Sequence, residues 1–304
     1  MKPFFFLFSC LFSMTTFAQN TVLPLWPNDI PNSIKTDEKE EVVSADIVRI
    51  AKVQVPQIEV YLPAKKIATG QAVLIFPGGG YGILAYDWEG TDFAKFLNGK
   101  GIAGIVVKYR LPNSKSVTEK HKVPLQDAQR AIRTVRSKAG EWNIDPHNIG
   151  IIGFSAGGHL ASTLGTHYNE VVYAKQDDID QLSARPDFMT LAYPVITLGE
   201  PNTHGGSRKN LLGENPTQQM VDHFSNELQV TTDTPPTFLL HASDDKAVPV
   251  ENSLLFYTAL VKNQVPTEMH IYPTGGHGFA LGLQEAHLAS WTEQWVGWLT
   301  NVKK

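Results

Sequence analysis

Ser155 lies between paired glycines in Gly153-Phe154-Ser155-Ala156-Gly157. A serine between a strand and a helix needs a very tight turn, and glycines two places before and after remove the Cβ atoms that would block one. Such a turn lifts the hydroxyl clear of the sheet edge. It also aims the N–H of Ala156, at a helix start, toward the same point. The chemistry open to this arrangement is nucleophilic attack with formation of a covalent intermediate. The five-residue pattern alone is weak, because ordinary glycine and serine usage produces it in roughly one chain in ten of this size. A helix-capping serine in a glycine-rich turn is the plainer reading. The apolar strand directly before the motif and the small-residue helix directly after it favour the nucleophile.

A nucleophilic serine needs a base, an orienting acid and donors for the developing oxyanion. The donors are sought in Pro77-Gly78-Gly79-Gly80-Tyr81, directly after the apolar run AVLIF. Three glycines let backbone N–H groups approach a ligand oxygen, and Gly79 and Gly80 are the expected donors beside Ala156. A phosphate loop would need the GxGxxG order and a lysine, and both are missing. Of the 10 histidines, His277 in Gly275-Gly276-His277-Gly278-Phe279 follows the last expected strand, where a glycine-rich loop can swing an imidazole over the sheet edge. His159 reads as facing packing or solvent and His241 as a buried, hydrogen-bonded residue, and His204 and His223 fall in an irregular stretch where substrate contact is open. The acid belongs after the penultimate strand, where Asp244 and Asp245 stand side by side in HASDDKAVP. Residue types alone do not separate them.

The elements that would position these groups alternate along the chain. AVLIF (72–76), IAGIVVKY (102–109) and NIGIIGF (148–154) read as buried strands. DFAKFLNGKG, PLQDAQRAIRTVRSKAGEW and GGHLASTLGTH read as helices, the second with Leu125, Ala128, Ile132 and Val135 on one face. FMTLAYP, TFLLHA and TEMHIYP continue as strands, with SLLFYTALVK and AHLASWTEQWVGWL as helices. This alternation predicts an α/β fold, a mostly parallel sheet with helices on both faces and its site at the carboxyl ends of the strands. A single domain is expected over 42–304, with an insertion over the site at about 197–233 and a polar, proline-rich arm at 19–41.

Composition bounds the remainder. With 304 residues, a net charge of −4 and no dense basic run, nucleic acid and anionic membrane are excluded as main partners. The start MKPFFFLFSCLFSMTTFAQN has one lysine, a short apolar run and small residues around Thr16 and Ala18. It reads as a signal peptide over 1–18 rather than an anchor or lipoprotein site, so a secreted or periplasmic location is expected. The one cysteine, Cys10, would leave with it. No HExxH or cysteine cluster is present, so no metal and no cofactor are expected.

Together, FPGGGYG, KYRLP, GFSAGGHLA, HGGSRKNLLGENP, TPPTFLLHASDDKAVPVENS and GGHGF resemble the α/β-hydrolase fold, in particular the secreted esterases that include acetyl-xylan and other carbohydrate esterases. The resemblance runs from about residue 40 to the C-terminus. It implies Ser155 as nucleophile, His277 as base, and Gly79, Gly80 and Ala156 as oxyanion donors. In that group the acid precedes Val-Pro as D-x-x-V-P, so Val248-Pro249 selects Asp245. Pro77 stands where lipases carry the histidine of an HGGG loop. The implied activity is a serine carboxylesterase releasing acetyl or other small acyl groups from carbohydrates such as xylan fragments. The expected substrate is a small-molecule or oligosaccharide ester.

Tyr81, Tyr86 and Trp88 follow the glycine loop and could stack on sugar rings, although packing is expected for at least one. Asp87, Glu89 and Arg208 could bind hydroxyls or form a solvated network. Two other readings are a prolyl-oligopeptidase-like peptidase and a non-catalytic carbohydrate-binding protein on a hydrolase fold. The first would lack the propeller of its large relatives, and the second would have kept every triad member. A glycosidase needs two opposed carboxylates, which neighbouring aspartates supply poorly.

Overall fold

Short runs of branched apolar residues without a polar member belong where both faces of a strand are covered, and they occupy the centre of the sheet here. The computed structural model describes residues 21–302, so the expected signal peptide lies outside the described residues. Eight strands form the main sheet: β1 (Thr21–Pro24), β2 (Gln57–Tyr61), β3 (Ala72–Phe76), β4 (Ala103–Lys108), β5 (Ile149–Phe154), β6 (Met189–Ala192), β7 (Thr237–Ala242) and β8 (Thr267–Tyr272). Their spatial order is β1-β2-β4-β3-β5-β6-β7-β8. β2 runs antiparallel to both neighbours, and all pairings from β4 to β8 are parallel. Every residue of β3, β4 and β5 is buried.

The helices are α1 (Asp92–Gly99), α2 (Val123–Ser137), α3 (Ala156–His167), α4 (Gly205–Leu212), α5 (Gln218–His223), α6 (Glu251–Lys262), α7 (Ala286–Ala289) and α8 (Trp291–Asn301). The four expected apolar positions of α2 are all buried. No helix among the described residues is long and apolar enough to cross a membrane. Glu41–Ser44, Val48–Ala51 and Leu84–Ala85 form a separate three-stranded sheet beside the glycine loop.

The structure departs from the sequence expectation in three places. The arm is tied down: Thr21–Pro24 pairs with β2 as an edge strand, and Trp26 is buried with its Nε1–H donating to Asp127 Oδ1 at 2.8 Å. The last helix is two helices, which meet at Ser290. The polar side of α2 is also buried. Arg110 donates to Asp127 through Nε at 2.9 Å and Nη2 at 2.8 Å, and Arg130 pairs with Asp177 at 2.7 Å and Asp180 at 2.9 Å. A buried charge persists only when paired, so removing one partner is expected to cost more than the pair contributes.

Candidate active site

Ser155 sits at the junction of β5 and α3 with φ 52° and ψ −119°, a left-handed conformation that a serine adopts only when its surroundings impose it. Backbone hydrogen bonds hold it there: Ser155 N–H donates to Ala192 O at 3.1 Å, and Val195 N–H donates to Ser155 O at 3.0 Å. A Cβ on Gly157 would lie 2.2 Å from Phe76 O, and one on Gly153 would lie 2.2 Å from Gly157 O. Both glycines therefore permit the close approach of α3 to the ends of β3 and β5.

The turn delivers the hydroxyl to His277. Ser155 Oγ–H donates to His277 Nε2 at 2.8 Å, and His277 Nδ1–H donates to Asp245 Oδ2 at 2.6 Å. The two acids separate here. Asp245 is buried, and its Oδ1 accepts from the N–H groups of Ala247 and Val248, each at 2.9 Å. Burial alone would raise its pKa. Hydrogen bonds from His241, His277 and the Val248 N–H outweigh burial and hold the carboxyl well below the usual aspartate range. Asp244 is exposed and accepts from Gly276 N–H at 2.8 Å, so it shapes the loop that carries His277. His241 is buried, as expected. Its Nε2–H faces Val248 O at 3.0 Å and Asp245 Oδ2 at 3.3 Å, while Nδ1 accepts from Ser253 Oγ at 2.8 Å.

The glycine loop lies across from the serine. Gly79 has φ 130°, and both Gly82 N–H and Ile83 N–H turn back onto its carbonyl, at 2.9 and 3.1 Å. Among the described residues, no protein group accepts from the N–H of Gly79, Gly80 or Ala156. Ser155, His277, Gly79, Gly80, Trp88 and Glu89 line one open cleft of about 670 Å³. A nucleophile, a base, an ionised orienter and backbone donors around one cavity can carry out acyl transfer through a tetrahedral intermediate.

The three expected substrate contacts fare differently. Trp88 lines the cleft, with its Nε1–H anchored to Gly278 O at 2.8 Å. Tyr81 does not reach it: the ring is 1% exposed and its hydroxyl donates to His159 Nδ1 at 2.8 Å. Burial pushes the His159 imidazole down to about 4, so it is neutral and its Nε2–H donates to Phe224 O at 2.8 Å. Tyr81 therefore pins the glycine loop to α3 from beneath. Arg208 is outside the lining and pairs with Glu200 at 3.2 Å. Tyr86 also packs, donating to Glu59 Oε2 at 2.9 Å, and Asp87 accepts from Val48 N–H at 2.8 Å.

Three residues outside the expected catalytic set shape the site: Asn210, which the sequence did not single out, and His204 and Glu89, whose roles it left open. His204, at the start of α4, lines the cleft and accepts from Ser207 N–H at 3.2 Å. Burial, aided by nearby His277, pushes its imidazole pKa down. Asn210 Nδ2 donates to Gly80 O at 2.8 Å, so the insertion holds the glycine loop directly. Glu89 is 4% exposed and accepts from Gly78 N–H at 2.9 Å and Tyr193 Oη at 2.8 Å, while Tyr193 Oη accepts from Ala280 N–H at 3.1 Å. One carboxylate thus ties the glycine loop to the histidine loop. Burial raises its pKa, and the Tyr193 and Gly78 hydrogen bonds oppose that shift.

Glu89→Ala would leave the Gly78 N–H and the Tyr193 hydroxyl without their shared acceptor, at about 1–3 kcal/mol for each stranded group. Steady-state kinetics are expected to show kcat lowered on the order of 10–100-fold, with a smaller change in KM. An unchanged kcat would mean the two loops hold their positions without this link.

Comparisons with known proteins bear on family and fold. The BD-FAE family model matches residues 58–260. The chain belongs to the BD-FAE family. A solved structure of an acetyl ester-xyloside bifunctional hydrolase from Caldicellulosiruptor lactoaceticus is 39% identical with a TM-score of 0.82, covering 95% of this chain and 98% of that one. An acetylxylan esterase of Xylanibacter ruminicola is 34% identical over 250 residues, 81% of this chain and 48% of its own length. Endo-1,4-beta-xylanase B of Butyrivibrio fibrisolvens is 38% identical over 231 residues, 76% of this chain and 36% of its own length. The chain thus spans between about a third and a half of the length of these two curated relatives. This BD-FAE member has the α/β-hydrolase fold, as sheet order and the neighbouring structures agree.

Proposed function

We propose that this BD-FAE protein is a serine carboxylesterase that removes acetyl or other small acyl groups from carbohydrates such as xylan fragments. The observation that carries this reading is the continuous hydrogen-bonded chain Ser155–His277–Asp245, at 2.8 and 2.6 Å, opening onto a cleft lined by Gly79 and Gly80. Relatives named acetylxylan esterase and acetyl ester-xyloside hydrolase support the substrate class.

In this mechanism His277 Nε2 takes the Ser155 proton as Oγ attacks the ester carbonyl. The tetrahedral oxyanion is held by the N–H groups of Ala156 and of Gly79 or Gly80. The imidazolium, stabilised by ionised Asp245, returns the proton to the departing sugar oxygen, leaving an acyl-Ser155. Water, deprotonated by His277, then attacks this ester, and collapse releases acetate and restores the serine. The open cleft with Trp88 on its wall suits a sugar face stacked beside the scissile ester.

The proposed setting is secreted or periplasmic, supported by the apolar start and the small residues near Ala18. A mass-spectrometric screen of acetylated against feruloylated xylo-oligosaccharides is expected to show rapid loss of acetyl groups. Robust peptide cleavage without ester cleavage would instead favour the peptidase reading. Tight glycan binding without turnover would favour the non-catalytic one.

A further inference from the structure

At the end of α3 away from Ser155, three side chains from two separate segments meet. His167 closes α3, Glu170 follows one turn later, and His223 closes α5 of the insertion. The ligand atoms of the three all lie within 4.8 Å of one another. Glu170 N–H donates to His167 O at 3.0 Å, and this turn brings the first two to one side. His223 Nε2 lies 3.3 Å from Glu170 Oε2.

We propose that His167, Glu170 and His223 bind a divalent cation of the zinc class, which fastens the insertion to the far end of the nucleophile's helix. Bonds of about 2.0–2.1 Å in a tetrahedral zinc site place neighbouring ligand atoms about 3.4 Å apart. The Glu170–His223 spacing already matches that edge. Both side chains are partly exposed, and the His223 ring already lies against that of His167, with centroids 4.7 Å apart. Two imidazoles and one carboxylate form a nitrogen-oxygen donor set that suits zinc, with the fourth position left for water.

The outer contacts suit an ion. Thr166 Oγ1 lies 2.8 Å from His167 Nδ1, which assigns Nε2 as the ligand atom and supplies the support that metal-bound imidazoles have on their other nitrogen. Lys122, which lines the adjacent cavity of about 230 Å³, is engaged by Glu119 at 2.5 Å. His121 lines the same cavity, its ring centroid 5.9 Å from that of Phe224. No sequence motif announces the site, because the third ligand comes from a distant segment. Sequence reading therefore expected no metal.

The consequence reaches the cleft through the insertion. The same insertion supplies His204 to the cleft lining and Asn210 to the Gly80 carbonyl. An ion at the end of α5 would restrain that whole segment. The inference does not depend on the proposed esterase activity, since its readouts are metal content and thermal stability.

The test uses the purified chain stripped with a chelator and dialysed, then titrated with zinc chloride. Calorimetry and elemental analysis are expected to give one tightly held ion per chain. The melting temperature is expected to rise by about 5 °C at saturating zinc. His223→Ala and Glu170→Gln, both at half-buried positions, should each abolish the rise, while His204→Ala should retain it. The proposal is overturned by no binding and no rise up to about 100 μM zinc, by a rise that persists in both ligand variants, or by a rise that vanishes only in His204→Ala.

Discussion

Asp245→Asn is expected to lower kcat by about 10⁴-fold on an activated acetyl ester, whereas Asp244→Asn should cost less than tenfold. The difference follows from what each carboxylate touches. Asp245 accepts the Nδ1–H of His277 at 2.6 Å and so fixes the tautomer that leaves Nε2 open to the serine proton. An asparagine amide can present its N–H group to that nitrogen and select the wrong tautomer. Ala247 N–H and Val248 N–H still hold the side chain's other oxygen, so the fold is expected to survive and the loss to fall on kcat. Asp244 only braces Gly276, and its loss loosens a loop that Trp88 also anchors at Gly278. Hydrogen bonds keep Asp245 ionised well below the usual aspartate range, so mild acidification does not reproduce the asparagine effect by protonating it. Equal losses in the two variants would break the assignment.

Ser155→Ala is expected to reduce kcat by on the order of 10⁶-fold, to the residue of rate that cleft binding and the oxyanion donors supply alone. The variant should be as stable as the parent or more so. Alanine removes no backbone contact and deletes only a hydroxyl, while the left-handed turn at this position keeps its glycine neighbours. Initial-rate measurements paired with a melting curve separate the two effects: a large rate loss with an unchanged melting temperature is the expected pattern. A rate within tenfold of the parent would remove Ser155 from the chemistry.

The parts of the site legible in the sequence were those marked by glycine. The turn around Ser155, the loop at Gly79 and Gly80 and the loop at His277 each need close backbone approach or unusual dihedrals, and such needs leave a local trace. The parallel sheet was legible for a similar reason, since buried strands must be apolar throughout. The choice of Asp245 over Asp244 was not local. It depended on Val248-Pro249 and the resemblance, and the structure supplies a physical counterpart in the Val248 N–H that holds Asp245 Oδ1 at 2.9 Å.

What escaped was polar burial between distant segments. Glu89 reads as a hydroxyl-binding or solvated charge because nothing nearby names Gly78 N–H or the Tyr193 hydroxyl as its partners. The same holds for Arg110 with Asp127 and for Arg130 with Asp180, whose pairing makes the polar side of α2 an interior surface. Tyr81 misled in the other direction. An aromatic after a glycine loop suggests a ligand platform, but its left-handed backbone, φ 59°, turns the ring under the loop toward His159. The arm reads as a polar, proline-rich segment without a strand, although four of its residues pair with the edge of β2.

The most direct test of the account follows acetate release from acetylated xylo-oligosaccharides while Ser155 is progressively blocked with a fluorophosphonate, with peptide mapping to give the fraction modified. The account predicts that the rate falls in proportion to Ser155 modification and reaches background when modification is complete. Acetate release that survives full modification, or an unmodified protein that releases none, would contradict it.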